Sequence, residues 1–279
     1  MNVLVTGANG TIGTALRDHL GDDPGYEFTW LDVEEHPEYE TTVADTRDYD
    51  ALRAAAEGQD AIVHLALSDY LGGSTSRELG WEEGFSGSFA EVCNVYAAAR
   101  DAGAESVVFA SSNHAVGMYE VELAPDIYEP DVELTVDHTV PPRPDSRYGA
   151  LKVFGEGMGR LASEAHGLSV YCLRIGAVRD PEYDHPYGDA ERGVDRGDWE
   201  RGDPAYDEQV ARLSSLWLSR RDCAQLVDRC LRDDDVDFEI VSGISESDRA
   251  WLDLEHAREV LGYVPEDDAG EWDGPPESA

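Results

Sequence analysis

Short apolar runs alternate with longer amphipathic stretches along most of this chain of 279 residues. The apolar runs lack polar alternation, which is typical of parallel strands covered on both faces; they occupy residues 2–6, 27–32, 60–66, 106–112 and 168–176. The stretches between them follow a helical spacing, at residues 11–20, 48–57, 86–102 and 146–166. This alternation predicts an α/β protein with a Rossmann-type, doubly wound parallel sheet.

The pattern of apolar and polar residues changes after Gly176. Residues 179–209 contain many Asp, Gly, Pro and Arg residues without apolar periodicity, and they predict an irregular insert. Regular elements are then predicted again, namely a helix at 221–233, a strand at 238–242 and a helix at 253–261. We therefore predict a larger domain at residues 1–177 and a small C-terminal substrate lobe at residues 178–268. We predict a disordered tail at residues 269–279.

The charge of the chain limits what it can bind. It has 60 acidic against 21 basic residues, and its formal net charge is −39. Self-repulsion of this size disfavours a compact state, unless salt shortens the screening length to about 3 Å, as at ~1 M. We therefore interpret the chain as a halophilic protein of a salt-rich cytoplasm; an acidic protein from ordinary salt is the alternative. Nucleic acids and anionic membranes are disfavoured as partners.

No stretch of the sequence suggests a membrane or secreted protein. The start, MNVLVTGANG, is too short and too rich in Gly for a signal peptide, and no apolar run approaches the ~18 residues of a membrane span. The cysteines have no CxxC spacing, and no group of His, Cys and acidic residues has metal-ligand spacing. We therefore expect a cytoplasmic protein without a metal site. His64 lies inside the apolar VHLA strand, so we interpret it as a core histidine; a catalytic histidine is the alternative.

The first predicted strand runs directly into the loop GANGTIG, residues 7–13. In a strand–loop–helix unit, the first glycine allows a tight turn, the second lets the backbone approach a pyrophosphate, and the third lets helix and strand pack closely. These glycines are Gly7, Gly10 and Gly13. The following helix N-terminus offers free N–H groups to phosphate oxygens. The loop therefore predicts a dinucleotide site; a purely structural turn is the alternative.

Two aspartates extend this predicted site. Asp32 ends the second strand, 19 residues after Gly13, where an acid hydrogen-bonds to an adenosine ribose and repels a 2′-phosphate. No Arg follows in the stretch VEEHPEYE, so we predict NAD rather than NADP as the cofactor. Asp45 follows a third short strand, and it is predicted either to bind the adenine amine or to cap the helix at 48–57.

Lys152 is the only lysine in the chain, and arginine supplies the other basic side chains. It follows Tyr148 by four residues in a predicted helix, so the two side chains share a face. A nearby ammonium stabilises a phenolate, so such a tyrosine can act as a general base. Lysine also carries three donors on a compact head that can hold a ribose diol, a geometry that arginine lacks. We interpret the pair as catalytic, with a chance pairing as the alternative.

Several motifs together resemble the extended short-chain dehydrogenase/reductases, the group that includes the NAD-dependent epimerases and dehydratases. The resemblance covers about residues 1–265, and the motifs follow the family's order: GANGTIG, VHLA (63–66), FASSNHAVG (109–117), YGALK (148–152) and LRIG (173–176). Within the family, three stretches are most similar to uronate dehydrogenases and to haloarchaeal NAD-dependent glucose-6-phosphate dehydrogenases, namely 111–119, 217–227 and 243–263.

The resemblance implies roles for individual residues. Tyr148 is then the general base, Lys152 holds the nicotinamide ribose, and Ser112 polarises the reacting hydroxyl. The implied cofactor contacts also include Asn9, Thr11, Ile12, Leu65, Ala66 and Ile175, with Gly176 beside the nicotinamide. The implied substrate contacts are Ser68, Asn113, His114 and Arg212. Of these, Arg212 aligns with an arginine that binds the substrate carboxylate in uronate dehydrogenases.

The implied reaction is hydride transfer, in which the C1 hydroxyl of an aldose is oxidised to a lactone. Glucose 6-phosphate is the first expected substrate, followed by a uronic acid or a free aldose. An anionic end of the sugar needs a cation, for which Arg212 is the main candidate and Arg179 and Arg249 are weaker ones. One residue departs from the family, because Ser88 occupies the place of a family asparagine.

Two other functions are compatible with the same residues. A sugar-nucleotide epimerase or dehydratase shares the Tyr–Lys–Ser set but keeps NAD bound and needs room for a nucleotide diphosphate, whereas the chain after the LRIG motif is short. A non-catalytic NAD-binding regulatory protein is supported only by Ser88. The resemblance also suggests a homodimer formed through the helices at 86–102 and 146–166.

Overall fold

The computed structural model describes residues 1–67, 85–130 and 134–276. Within these residues the strands are Asn2–Thr6 (β1), Glu27–Asp32 (β2), Thr42–Val43 (β3), Ala61–His64 (β4), Ser106–Ser112 (β5), Ser169–Ile175 (β6) and Phe238–Gly243 (β7). All of them pair in parallel and form one sheet in the order β3-β2-β1-β4-β5-β6-β7. The predicted α/β class and Rossmann-type doubly wound sheet are confirmed.

Helices cover both faces of this sheet. Over the same described ranges they are Thr11–Leu20 (α1), Tyr49–Ala56 (α2), Phe85–Ala102 (α3), Met118–Leu123 (α4), Arg147–His166 (α5), Gly188–Arg196 (α6), Pro204–Leu216 (α7), Arg220–Arg232 (α8) and Glu255–Leu261 (α9). Single turns of 3₁₀ helix lie at Asn113–Ala115, Asp126–Tyr128, Pro181–Tyr183 and Ala269–Glu271. The helices and strands that the sequence predicted agree with the observed ones to within two residues at either end.

Successive side chains of the central strands fill two separate apolar layers. Along β1, Val3 and Val5 point into the layer beneath α1 and α8, whereas Leu4 points into the layer beneath α2, α3 and α5. Burial on both faces accounts for the continuous apolar runs in the sequence. The strand order reverses between β1 and β4. In doubly wound sheets such a switch point opens a crevice beyond the carboxyl ends of the strands.

Helix α5 carries the Tyr–Lys pair, and side-chain contacts fix its position. The Ser146 hydroxyl caps its start by accepting a backbone hydrogen bond at 3.1 Å, and Gly167 ends it with a φ of 74°. A buried ion pair joins its middle to the sheet. Arg174 on β6 donates from Nε and Nη2 to the two carboxylate oxygens of Glu156, each at 2.9 Å. This two-point contact fixes the helix on the sheet.

The prediction of an irregular insert at 179–209 is wrong. This segment contains α6 and the start of α7. The buried face of α6 consists of small residues, and the indole of Trp199 lies directly on it, donating from Nε1 to the Ala190 carbonyl oxygen at 2.8 Å. Such a face has no Leu, Ile or Val at helical spacing, so the hydrophobic pattern could not reveal the helix.

The prediction of a disordered tail is wrong for the first residues of 269–279. Ala269 is buried, and the indole ring of Trp272 stacks on the ring of His185 with a centroid distance of 5.5 Å. This contact joins the tail to the segment before α6.

Strand β7, which lies in the predicted C-terminal lobe, pairs with β6 and extends the same sheet. Among the helices of the described ranges, none combines the length and apolar character that crossing a membrane requires.

Candidate active site

The glycine loop between β1 and α1 has the geometry of a phosphate-binding loop. Gly7 has a φ of 71°, and a Cβ there would lie 2.6 Å from the Ala66 amide nitrogen. A Cβ on Gly13 would lie 2.4 Å from the Ala8 carbonyl oxygen, so only glycine allows this packing of helix on strand. At Gly10 the nearest atom to an added Cβ is 3.4 Å away and belongs to Gly7. Because Gly10 has no side chain, its backbone stays accessible to a phosphate.

A cleft of about 710 Å³ extends from this loop along the carboxyl ends of β1 and β2, and we call it the loop cleft. Its lining includes Gly7, Asn9, Gly10, Asp32, Asp45, Leu65, Ala66 and Glu91. The Asp32 carboxylate accepts hydrogen bonds from the backbone amides of Asn9 at 2.9 Å and Val33 at 2.7 Å. These bonds fix the orientation of a negative charge on the wall of the cleft.

Asp45 lies in the loop cleft and does not cap α2. The cap is Asp48, whose carboxylate accepts a hydrogen bond from the Ala51 amide at 3.1 Å. Asp45 is paired instead with Arg47, with 2.5 Å between Nη2 and Oδ2. The hydrogen bond from the Arg47 side chain outweighs burial and lowers the pKa of the Asp45 carboxyl below its ordinary value. The helix-cap alternative is therefore wrong, and the adenine contact stays a prediction.

A second cleft of about 270 Å³ adjoins the loop cleft, and we call it the junction. It is lined by the glycine loop, the ends of β5 and β6 and one face of α5, including Gly7, Gly10, Thr11, Ile12, Gly13, Leu65, Ser112, Tyr148, Lys152, Ile175 and Gly176. A Cβ at Gly149 would lie 2.2 Å from the His114 carbonyl oxygen, so glycine allows α5 to approach the end of β5. The Tyr148 ring thereby meets the His114 ring edge to face, with 5.6 Å between centroids.

Lys152 reaches the junction from a buried position, with 5% of its surface exposed. Its Nζ donates to the backbone carbonyl oxygen of Ala110 at 2.6 Å and lies 5.3 Å from the centre of the Tyr148 ring. The Ala110 bond uses one of the three donors of the ammonium group. The helix therefore places both side chains of the pair in one cleft.

His64 lies on β4, the neighbour of β5, and is buried. Its Nδ1 is 2.7 Å from the hydroxyl oxygen of Thr6. Burial and, secondarily, the positive charge of Lys152 lower its pKa to about 3. The imidazole is therefore neutral near pH 7, and the interpretation of His64 as a core histidine is confirmed.

A third cleft of about 650 Å³ continues from the junction, and we call it the outer cleft. Ser112, Tyr148 and Gly176 line both spaces, so the two are continuous at Tyr148. The outer cleft is also lined by Asn113, His114, Glu120, Tyr128, Asp145, Arg179, Glu208 and Arg212. Its volume and polar lining suit a small polar molecule.

Ser112 ends β5, and its hydroxyl accepts a hydrogen bond from the His114 amide at 3.2 Å. The His114 Nδ1 lies 2.7 Å from the Asp145 Oδ2. Burial acts to raise the pKa of the Asp145 carboxyl, but hydrogen bonds from His114 and Ser146 outweigh it, and the pKa lies below its ordinary value. The ionised Asp145 therefore holds the His114 imidazole in one orientation on the wall of the outer cleft.

Two arginines line the outer cleft, and both contact carboxylates. The Nε of Arg212 donates to the Glu120 Oε1 at 2.7 Å, and its Nη2 donates to Oε2 at 3.4 Å. The hydroxyl of Tyr128 donates to the same Glu120 Oε1 at 2.7 Å. Arg179 donates from Nε and Nη2 to the carboxylate of Asp189 at 2.6 and 2.5 Å. Neither guanidinium is thus a free cation.

The residues predicted from the sequence converge on these clefts. The loop cleft and the junction together contain every predicted cofactor contact: Gly7, Asn9, Gly10, Thr11, Ile12, Gly13, Asp32, Asp45, Leu65, Ala66, Tyr148, Lys152 and Ile175. Asn113, His114 and Arg212 line the outer cleft, whereas Ser68 lies outside the described residues. Arg249 lies elsewhere and donates to the Tyr128 carbonyl oxygen at 3.0 Å. Over the described ranges, no His, Cys, Asp and Glu side chains group as a metal site would require.

Three carboxylates of the outer cleft were missed by the sequence reasoning, namely Glu120, Asp145 and Glu208. The first two lie close in sequence to the SSNH and YGALK motifs, which is the only signal that could have found them. In a chain with 60 acidic residues, single acids carry little information.

Helix α3 borders the loop cleft on one side. Ser88, at the place of the family asparagine, is fully buried. Glu91 lines the cleft and accepts a hydrogen bond from the Thr46 hydroxyl at 2.5 Å. Asn94 donates to the backbone carbonyl oxygens of Thr46 and Arg47, both at 3.0 Å. Asn94 thus has a structural role, in which it joins α3 to the segment before α2.

Comparison with known proteins identifies the family. A sequence profile of the NAD dependent epimerase/dehydratase family matches residues 3–192, more than half of the chain. The chain belongs to this family, and the family predicted from the motifs is confirmed.

Relatives with named activities are similar over nearly the whole chain. The NAD-dependent glucose-6-phosphate dehydrogenase of Haloferax volcanii is 36% identical, over 97% of this chain and 95% of its own length. The L-arabinose 1-dehydrogenase (NAD(P)(+)) of the same organism is 33% identical, over 96% of this chain and 97% of its own. A mutant uronate dehydrogenase from Agrobacterium tumefaciens, solved as a complex with NAD, is 27% identical with a TM-score of 0.71, covering 99% of this chain and 91% of that chain.

Proposed function

We propose that the protein is an NAD-dependent oxidoreductase that oxidises the C1 hydroxyl of an aldose to the lactone. The observation that carries this proposal is the meeting of Tyr148, Lys152 and Ser112 at the junction, where the loop cleft joins the outer cleft. A dinucleotide in the loop cleft and a sugar in the outer cleft would meet at these side chains. The activities named for the relatives support a sugar as the substrate.

The residues of the loop cleft fit NAD. The absence of a side chain at Gly10 would let the pyrophosphate approach the backbone. Helix α1 begins at Thr11, so its N-terminus favours negative charge there. Asp32 would hold the adenosine ribose and would repel a 2′-phosphate, which favours NAD over NADP. Asp45 would contact the adenine. Bound NAD would supply the acceptor for the hydride that leaves C1 of the sugar.

The junction side chains would handle the proton. Tyr148 would remove the proton of the C1 hydroxyl as general base. Lys152, fixed by the Ala110 carbonyl oxygen, places a positive charge beside the phenol and stabilises negative charge on its oxygen. Ser112 would hydrogen-bond to the reacting hydroxyl and hold it against Tyr148. Positioned proton transfer contributes about 10²–10⁴-fold to the rate.

The outer cleft would orient the sugar. His114, held by the Asp145 carboxylate, and Asn113 lie next to Ser112 in the turn that ends β5. Hydroxyl groups of a sugar can both donate to the carboxylates and accept from the imidazole and amide groups of such a cleft. Fixed contacts on one side of the ring would present C1 to the junction.

The test is the formation of NADH in molar KCl, with NAD or NADP and a panel of neutral aldoses, glucose 6-phosphate, glucuronate and galacturonate. We expect turnover with NAD on at least one of these sugars. Tyr148→Phe should remove turnover while NAD still binds, as measured by fluorescence titration, because the ring stays in place. Tyr49→Phe is the matched control, since its hydroxyl contacts Asp101 away from the clefts, and it should retain activity.

Two results would contradict the proposal. Retained turnover in Tyr148→Phe would exclude this tyrosine as the base. Silence across the panel from a folded protein would exclude the reaction itself. If the silent protein also retains dinucleotide through purification, the sugar-nucleotide epimerase or dehydratase becomes the better assignment, because those enzymes keep NAD bound.

A further inference from the structure

The positive charges of the outer cleft are already matched by negative ones. Arg212 contacts Glu120 through two nitrogens, and Arg179 contacts Asp189 through two. His114 is paired with Asp145. In the part of the chain that the structure describes, each guanidinium group that lines this cleft therefore has a carboxylate partner within hydrogen-bond distance.

Glu120 is held firmly against Arg212. Its side chain comes from α4 and is almost completely buried, with 6% of its surface exposed. The Tyr128 hydroxyl adds a hydrogen bond to the carboxylate oxygen that also contacts the Arg212 Nε. Separating Glu120 from the guanidinium would leave a buried carboxylate without its counter-ion, which is strongly unfavourable. A substrate anion that took over the Arg212 nitrogens used by Glu120 would have to separate this pair, and an anion at the remaining donors would meet a guanidinium whose charge Glu120 already neutralises.

Counted over all the side chains of its lining, the outer cleft has more carboxylates than guanidinium groups. Glu120, Asp145 and Glu208 are three carboxylates on the wall of the outer cleft, against the two guanidinium groups of Arg179 and Arg212. A phosphate or carboxylate group would enter a space whose lining is net negative. Repulsion between the like charges would disfavour its binding. Sugar hydroxyls, in contrast, can donate hydrogen bonds to carboxylate oxygens at no such cost.

We propose that the outer cleft selects an uncharged aldose, and that Glu120 is the residue that determines this specificity by occupying the Arg212 guanidinium. The inference rests on the proposed function, because it concerns the sugar that the same site oxidises. It reverses the order of substrates that the sequence resemblance implied, in which glucose 6-phosphate came first. Arg212 then positions Glu120 and the wall of the cleft, and it does not bind an anionic end of the substrate.

The first measurement compares kcat/KM of the unaltered protein on neutral aldoses (glucose, galactose, arabinose and xylose) with that on glucose 6-phosphate, glucuronate and galacturonate, using NAD in molar KCl. We expect the preferred neutral aldose to exceed every anionic sugar by at least about 100-fold. An anionic sugar that matches or exceeds all neutral ones would overturn the inference while leaving the proposed oxidation intact. No turnover on any sugar would overturn both.

The second measurement uses Glu120→Gln. The carboxamide oxygen can still accept from Arg212 and Tyr128, but the charge that neutralises the guanidinium is gone. We expect the ratio of kcat/KM for glucuronate to that for the preferred neutral aldose to rise at least about tenfold, mainly through a lower KM for glucuronate. An unchanged ratio in a folded variant would overturn the role of Glu120.

The matched control is Glu122→Gln. Glu122 lies on the same helix, contacts Arg143 and is 51% exposed on its side chain, away from the outer cleft. The Glu122→Gln substitution removes one negative charge from the same region without freeing Arg212. The ratio of kcat/KM for glucuronate to that for the preferred neutral aldose should therefore stay at the value of the unaltered protein. A similar gain for glucuronate in both variants would show a general charge effect and would count against the specific role of Glu120.

Discussion

The ammonium group of Lys152 donates a hydrogen bond to the backbone carbonyl oxygen of Ala110, and the two atoms are 2.6 Å apart. Ala110 lies on β5, two residues before Ser112. The bond therefore couples the position of the lysine head to the strand that carries the serine. The side chain is buried between α5 and the sheet. We therefore expect this position to need a compact ammonium group and not the larger guanidinium.

Replacing this head tests whether its shape or only its charge is used. In Lys152→Arg, the larger planar guanidinium cannot take the place of the ammonium against Ala110. We expect kcat/KM to fall at least about 100-fold and NAD affinity to weaken. The control is Arg160→Lys, the same exchange in reverse at an exposed position of α5, which should leave kinetics unchanged. Near-normal kinetics of Lys152→Arg would show that a positive charge alone is enough.

The glycine loop offers a comparison of two alanine substitutions. Gly10→Ala places its methyl group at van der Waals distance, 3.4 Å, from the Gly7 carbonyl oxygen, so stability should change little, whereas the Kd of NAD should rise at least about tenfold because the methyl group blocks the pyrophosphate. Gly13→Ala places its methyl group 2.4 Å from the Ala8 carbonyl oxygen, and overpacking of this kind costs about 1–3 kcal/mol. Thermal melts and NAD titrations of both variants check this. Equal NAD binding by Gly10→Ala and the unaltered protein would place the phosphates elsewhere.

The buried imidazole of His64 predicts a loss of stability in acid. Its pKa is about 3 in the folded protein and 6.5 in an ordinary environment. The unfolded chain therefore binds an extra proton between these values, and stability falls as the pH drops below about 6.5. One such group contributes up to about 1.4 kcal/mol per pH unit. Denaturant unfolding at pH 7 and pH 5 in molar KCl measures the decrease.

A pair of variants separates His64 from the many carboxylates that also titrate in acid. His64→Asn keeps a polar group near the Thr6 hydroxyl but cannot take up a proton, so its free energy of unfolding should fall less between the two pH values. His19→Asn, at an exposed position of α1, should retain the full decrease. The same decrease in all three proteins would mean that His64 does not titrate on unfolding.

The net charge predicts a strong dependence of stability on salt. At −39 the folded chain repels itself, and KCl at about 1 M shortens the screening length to about 3 Å. We expect the melting temperature to rise by about 10 °C or more between low salt and 2 M KCl, and to level off above that. Sucrose at equal osmolality screens no charge. If sucrose produced the same rise, charge repulsion would not be its cause.

Local patterns predicted most of the sheet and the residues that line the loop cleft. The strands are buried on both faces, so their apolar runs were visible in the sequence, and the glycine loop and Asp32 lie at fixed spacings within one strand–helix–strand unit. Tyr148 and Lys152 share a helix face by spacing alone. These features depend on residues that are close in the sequence, which is why they could be predicted.

Contacts between distant residues could not be predicted in this way. Glu120 and Arg212 are 92 positions apart, and they meet only because α4 and α7 flank the same cleft. Helix α6 was missed because its buried face consists of glycine and alanine under Trp199. In both cases the deciding partner lies in another element. The charge balance of the outer cleft, and with it the expected substrate, is therefore a property of the fold.

Because Lys152 is the only lysine, amine chemistry can address this protein at a single side chain. A reagent selective for amines has no other side-chain amine to label, and the N-terminal amine can be distinguished from it by peptide mass. The rate at which Lys152 is labelled then reports directly on access to the junction. If added NAD slowed the labelling of this amine, the degree of protection would measure how much of the protein has NAD bound. The measurement would need no tag, no dye and no turnover.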